Sequence, residues 1–105
     1  MISFGDKFVP TGLKPEITCI FSILEGESTR QGLHFIITSG IDRAHGYKSR
    51  HHSGLAIDLT WFDYKLPLAK DIGYLLARRL GPCYDVVVED NHIHIEYDPK
   101  YKSIN

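Results

Sequence analysis

Ser49-Arg50-His51-His52-Ser53-Gly54-Leu55-Ala56-Ile57-Asp58 is the stretch around which the chain is organised, and Glu89-Asp90-Asn91-His92-Ile93-His94 completes it. In the first stretch a histidine is followed, seven residues on, by an aspartate. Fully extended, seven residues span about 23 Å at about 3.3 Å each, too far for His51 and Asp58 to share one ion. The chain must therefore fold back between them. Ser53-Gly54 is where it can, because glycine accepts backbone angles that other residues avoid. After the bend, Leu55, Ile57 and Leu59 alternate with Ala56, Asp58 and Thr60, the period-2 pattern of a half-buried strand. Asp58 then shares a face with Ala56, whose small side chain leaves room beside the carboxylate.

The second stretch alternates as well. His92, His94 and Glu96 fall on one face of a strand, and Ile93, Ile95 and Tyr97 on the other. Three ionisable groups backed by three apolar ones describe the wall of a site laid on a core. Imidazole and carboxylate are ordinary zinc ligands, so His51, Asp58 and one histidine of His92 and His94 form a two-His, one-Asp set. Three protein ligands leave a fourth position for water, the mark of a catalytic rather than a structural zinc ion.

The pattern Ser49-x-His51-x-x-Gly54-x-Ala56-x-Asp58, followed by His92-x-His94, resembles the zinc D-Ala-D-Ala carboxypeptidase group of metallopeptidases. Phage endolysin peptidases and the hedgehog signalling domain are relatives of that group. The resemblance runs roughly from residue 36 to residue 99, and the first thirty residues carry no matching motif. It implies a zinc peptidase that cuts peptidoglycan stem-peptide or crosslink bonds, with His51, Asp58 and His94 as metal ligands. The second histidine of a His-x-His pair generally binds the metal in this group; an acid three residues before the ligand, here Glu89, points instead to His92. With His94 on the metal, the resemblance leaves His92 to bind substrate or stabilise a developing oxyanion. Glu89 becomes the general base, with Asp90 as the alternative.

On the substrate side, the resemblance implies Arg43, His45 and Ser49. An arginine after a Ser-Gly-Tyr-Arg pattern grips the terminal carboxylate in the carboxypeptidases. Here the residues are Ser39-Gly40-Ile41-Asp42-Arg43, one longer and without the tyrosine. His45 lies six residues before His51, a spacing similar to the hedgehog branch. Ser49 orders the loop through its hydroxyl rather than acting as a nucleophile. The competing expectation is a zinc-binding recognition module of the same fold without turnover. A poorer one is a small structural phage protein with incidental histidines.

At 105 residues the chain is read as a single domain, 1–105, with one modest core. A formal net charge of −1 gives no footprint for nucleic acid or an anionic membrane, so neither is expected as a partner, and a monomer is expected. No apolar run approaches the roughly 20 residues of a membrane span. Met1-Ile2-Ser3-Phe4-Gly5-Asp6 lacks the basic start and apolar centre of a signal peptide, so synthesis in a cytoplasm is expected. Delivery to the wall, by a lysing phage or in its particle, would then be separate. Cys19 and Cys83 are read as buried or partly buried thiols without the Cys-x-x-Cys spacing of structural zinc.

The elements follow from periodicity. Residues 1–13 read as an extended arm with a turn. Ile17, Ile20, Phe21 and Leu24 predict a helix over about 15–30, opened by Pro15 and stopped by Gly32. Residues 33–38 predict a strand, 39–53 a long polar loop, and 55 to about 61 the next strand. Leu68, Ile72, Leu75, Leu76 and Leu80 predict a second helix, ended by Gly81-Pro82. Residues 83–89 and 92–97 predict a hairpin turning at Asp90-Asn91. The sum is an α+β domain: a small antiparallel sheet, helices packed on one face and the site on the other, as in the D-Ala-D-Ala carboxypeptidase and hedgehog fold. Trp61, Phe62 and Tyr64 fit either the floor of a peptide groove or ordinary packing.

Overall fold

Phe35-Ile36-Ile37, Ile57-Asp58-Leu59 and Ile93-His94-Ile95 place β-branched and aromatic side chains where a pleated sheet packs them best, and all three become strands. A computed structural model describes residues 1–6, 8, 12–39 and 54–99. Its elements are β1 (Ile2–Phe4), α1 (Pro15–Thr18), α2 (Phe21–Gln31), β2 (Phe35–Ser39), β3 (Ala56–Thr60), α3 (Leu66–Leu80), β4 (Tyr84–Val88) and β5 (Ile93–Tyr97). The strands form one sheet in the order β1-β2-β3-β5-β4. The class is α+β.

The sheet is mixed, which corrects the expectation of an antiparallel one. β2–β3, β3–β5 and β5–β4 are antiparallel, but β1 runs parallel to β2 with Ile2 opposite Phe35. Residues 1–13 are thus not simply an arm. A three-residue strand has too short an alternation to read, and a parallel partner is reached only through a crossover, here α1 and α2. Ser28, buried on α2, ties the strand down. Its hydroxyl lies 2.6 Å from the Met1 ammonium and contacts the Met1 and Leu33 carbonyls. His34 and Ser3 add a side-chain bond of 2.8 Å along the same edge.

The single helix expected over 15–30 is two. α1 ends at Thr18 and α2 begins at Phe21, with Ile20 donating its N–H to the Ile17 carbonyl in a tighter turn. Thr18, Cys19 and Ile20 are weak helix formers, and the break lets Ile17, Ile20 and Leu24 all reach the core. It also leaves Cys19 exposed rather than buried. Cys19 and Cys83 are both free thiols.

The helices supply Ile17, Ile20, Leu24, Ala69, Ile72 and Leu76 to a core whose sheet side is Phe35, Ile37, Ile57, Leu59, Ile93 and Ile95. β3 lies between β2 and β5, and Ala56 through Leu59 are buried on both faces, more than the alternation alone indicated. Between α2 and α3, the buried Glu27 carboxylate is held by Arg79 at 2.7 Å and Arg30 at 3.2 Å. Gly73 sets how closely α3 approaches β4. A methyl group there would meet the Val88 Cγ2 at 2.5 Å, well inside van der Waals contact.

Gly73→Ala should therefore destabilise the protein by about 1–3 kcal/mol in urea unfolding, the usual cost of overpacking. In a Val88→Ala background the clash is gone. There the same substitution should be neutral or gain up to about 1 kcal/mol of helix propensity.

Candidate functional site

The chain enters β3 through Gly54, which is buried and has φ 79, a left-handed conformation that favours glycine. The fold-back expected at Ser53-Gly54 begins outside the described residues, and Gly54 is the part of it that is described. Its carbonyl accepts the Lys14 N–H at 3.0 Å, fixing where the strand starts. Four residues on, Asp58 sits on the sheet face turned away from the helices. β2 carries a register irregularity at this level: Ile37 pairs with Leu59, and Ser39 with Asp58. Two residues of β2 thus oppose one step of β3, the signature of a bulge, a feature often found beside active sites.

β5 supplies the facing groups. Asp58 pairs directly with His94, and Ala56 with Glu96. The Asp58 Oδ1 lies 3.0 Å from the His94 Nδ1 and 3.7 Å from the His92 Nε2. The other ring nitrogen of His94, Nε2, lies 2.8 Å from the Glu96 Oε1. His92 also sets its Nδ1 2.6 Å from the Asn91 Oδ1. The structure therefore brings together Asp58, His92 and His94, three of the residues singled out in the sequence.

Glu89 and Asp90 stand at the mouth of the β4–β5 turn, both exposed. The Glu89 N–H donates to the His92 carbonyl at 2.8 Å, which closes a tight turn at Asp90-Asn91 as expected. His51, Arg43, His45 and Ser49 lie outside the described residues. Trp61 is buried in the core, Phe62 is 93% exposed, and Tyr64 packs on Trp61 with ring centroids 4.7 Å apart.

On this face of the sheet the marked electrostatic feature is His94. The carboxylate of Asp58, and that of Glu96 behind it, raise its pKa to about 8 against the opposing effect of burial. Doubly protonated, the ring donates one N–H to each carboxylate. Neutral, it keeps one N–H; with that proton on Nε2 toward Glu96, Nδ1 is left as a lone pair on the Asp58 side. That second state has the form of a histidine ligand whose far nitrogen is held by a carboxylate. The Asp58 oxygen and His94 nitrogen also stand close to the separation of about 3.3 Å that bonds of about 2.0 Å to one tetrahedral ion require. By donor type and spacing, these two residues fit zinc.

Glu96 is the member that sequence reading did not assign. Its signal was available, since it shares a strand face with His92 and His94. Among the described residues, the one three-residue grouping with ligand atoms within 4.8 Å of one another is Asp85, Glu96 and Asp98. It is all carboxylate and differs from the two-His, one-Asp set expected. No protein-family model matches the chain, and no curated protein matches it. Among the described residues, no helix is long and apolar enough to cross a membrane.

The His94 proton has a signed consequence. Its folded pKa lies above the ordinary value of 6.5, so the stabilisation from the imidazolium is fully present below about pH 6.5 and is lost as pH rises through about 8. In the metal-free protein, NMR titration of the His94 ring should give a midpoint near 8. Asp58→Asn should move that midpoint down toward 6.5 and flatten the dependence of stability on pH between those values.

Proposed function

We propose that the protein is a zinc-dependent peptidase of the D-Ala-D-Ala carboxypeptidase kind, acting on peptidoglycan stem or crosslink peptides in bacterial or phage wall lysis. The observation that carries this reading is the pairing of Asp58 with His94 across β3 and β5, at 3.0 Å, with His92 3.7 Å from the same oxygen. Residues far apart in the sequence, picked out by one motif, meet on the sheet face away from the helices. The resemblance supplies the substrate class. The finer likeness of fold to the carboxypeptidase and hedgehog group belongs to the same proposal.

Asp58 and His94 would hold the metal together with His51. When bound there, zinc polarises the scissile carbonyl and lowers the pKa of water to about 7. The chain's own groups do the rest. Glu96 retains the His94 Nε2 proton and so fixes which nitrogen faces Asp58. His92 donates a hydrogen bond to the carbonyl oxygen as charge develops on it, where such a bond is strongest. Glu89 takes the proton from the attacking water and passes it to the leaving amine, restoring its carboxylate. Arg43, His45 and Ser49 are the proposed substrate contacts.

Mass spectrometry of defined muropeptides and crosslinked fragments tests the reading. With zinc, loss of a terminal alanine or cleavage of the crosslink is expected, and the product tells carboxypeptidase from endopeptidase. A chelator, His51→Ala or Asp58→Ala should each abolish it. Glu89→Gln should lower kcat by about 10²–10⁴, the usual worth of a positioned acid–base group, while one zinc per chain is retained. Zinc binding with no cleavage of any fragment would overturn the peptidase and leave a recognition module.

A further inference from the structure

The β4–β5 turn carries two of the proposed catalytic groups, Glu89 and His92, yet it is a short exposed hairpin end. Such ends ordinarily fray first. Here three of its carbonyls meet hydroxyls from the end of β3 and the segment after it, two of them sharing the single proton of Tyr64. The Tyr64 hydroxyl lies 2.8 Å from the Glu89 carbonyl oxygen and 2.8 Å from that of His92. The Thr60 hydroxyl donates to the Asn91 carbonyl at 3.0 Å. We infer that Tyr64, assisted by Thr60, is a positioning residue: it clamps the Glu89–His92 turn, holding His92 beside Asp58 and fixing the backbone from which Glu89 projects.

Tyr64 is built to be rigid. Its ring rests on Trp61, which in turn packs on the buried Phe35 with centroids 5.7 Å apart. The chain reverses between Trp61 and Tyr64 through Asp63, whose φ of 62 is left-handed, a conformation aspartate adopts more readily than most residues. Asp63 also pairs with Lys65 at 3.2 Å. Tyr64 is thus anchored to the core at one end and grips the turn at the other. Burial, and then the nearby charges of Glu89 and Asp90, raise its pKa, so the hydroxyl keeps its proton and remains a donor at neutral pH. Glu89 and His92 are the two residues that close the turn, with the Glu89 N–H on the His92 carbonyl. Fixing their carbonyls fixes both backbones from which the side chains project.

This role rests on the peptidase reading, and the test separates the two. Tyr64→Phe removes only the hydroxyl and keeps the ring on Trp61. It should lower kcat on the muropeptide about tenfold or more with KM within about twofold, and leave one zinc per chain. In the metal-free protein, amide exchange of Glu89 should quicken about tenfold, and the exchange of Ile57 and Ile95 in the core should not change. Thr60→Val should shift both readouts in the same direction by less. Unchanged Glu89 exchange in folded Tyr64→Phe would overturn the clamp, as would an activity loss matched by loss of zinc. If the wild-type protein cleaves nothing, the peptidase reading fails by itself, and faster Glu89 exchange in Tyr64→Phe still establishes the clamp.

Discussion

The register between β3 and β5 is the constraint on which everything else rests. Side chains alternate across a strand, so a slip of one residue would carry Asp58 or His94 to the opposite face. The apolar side prevents the slip. Ile57 pairs with Ile95 and Leu59 with Ile93, all four fully buried beneath the helices. Each contributes about 1.5–3 kcal/mol by leaving water, and a slipped register would forfeit most of that. The polar pair on the other face inherits its geometry from this packing. A carboxylate and an imidazole do not hold two strands in register; the isoleucines and leucine behind them do.

The polar face then has a charge pattern of its own. Asp58 is buried, and a buried carboxylate needs partners. His94 and His92 provide them from the next strand, and Glu96 returns a second negative charge to the far side of the His94 ring. The ring thus lies between two carboxylates, which is why its proton is held so firmly. The same arrangement sets the ring's orientation when one proton is gone, because a carboxylate stands at each nitrogen to accept whichever N–H remains. Proton and divalent cation compete for one nitrogen, so a metal at this place would be favoured by rising pH.

Support for the turn comes from another direction. A tight hairpin end gains little from packing, and its exposed carbonyls would otherwise face water. The end of β3 and the connection after it lean across it with one hydroxyl each, and the aromatic stack of Tyr64, Trp61 and Phe35 carries the load back into the core. Trp61, Phe62 and Tyr64 thereby divide their roles: core, surface and clamp. Periodicity does not distinguish these, since none of the three lies in a helix or strand.

What the sequence determined by itself is whatever depends on local periodicity. The alternation around Asp58 and around His94 set both strands and their faces, the stripe from Leu68 to Leu80 set α3, and Asp90-Asn91 set the turn. These signals are short-range, and the side chains that make them are the ones that pack. Tertiary structure decided what depends on distant partners. The parallel pairing of Ile2–Phe4, the break at Cys19-Ile20 and the burial of Ala56 through Leu59 on both faces arise because residues elsewhere in the chain offer a place to bury. Glu96 meets His94 within β5 itself, but only the pairing of β5 with β3 sets Asp58 on the other nitrogen of that ring. Tyr64 and Thr60 reach backbone carbonyls, which every residue carries and no sequence pattern marks. A motif names side chains by their chemistry, but only the packed sheet brings Asp58 to within 3.0 Å of His94.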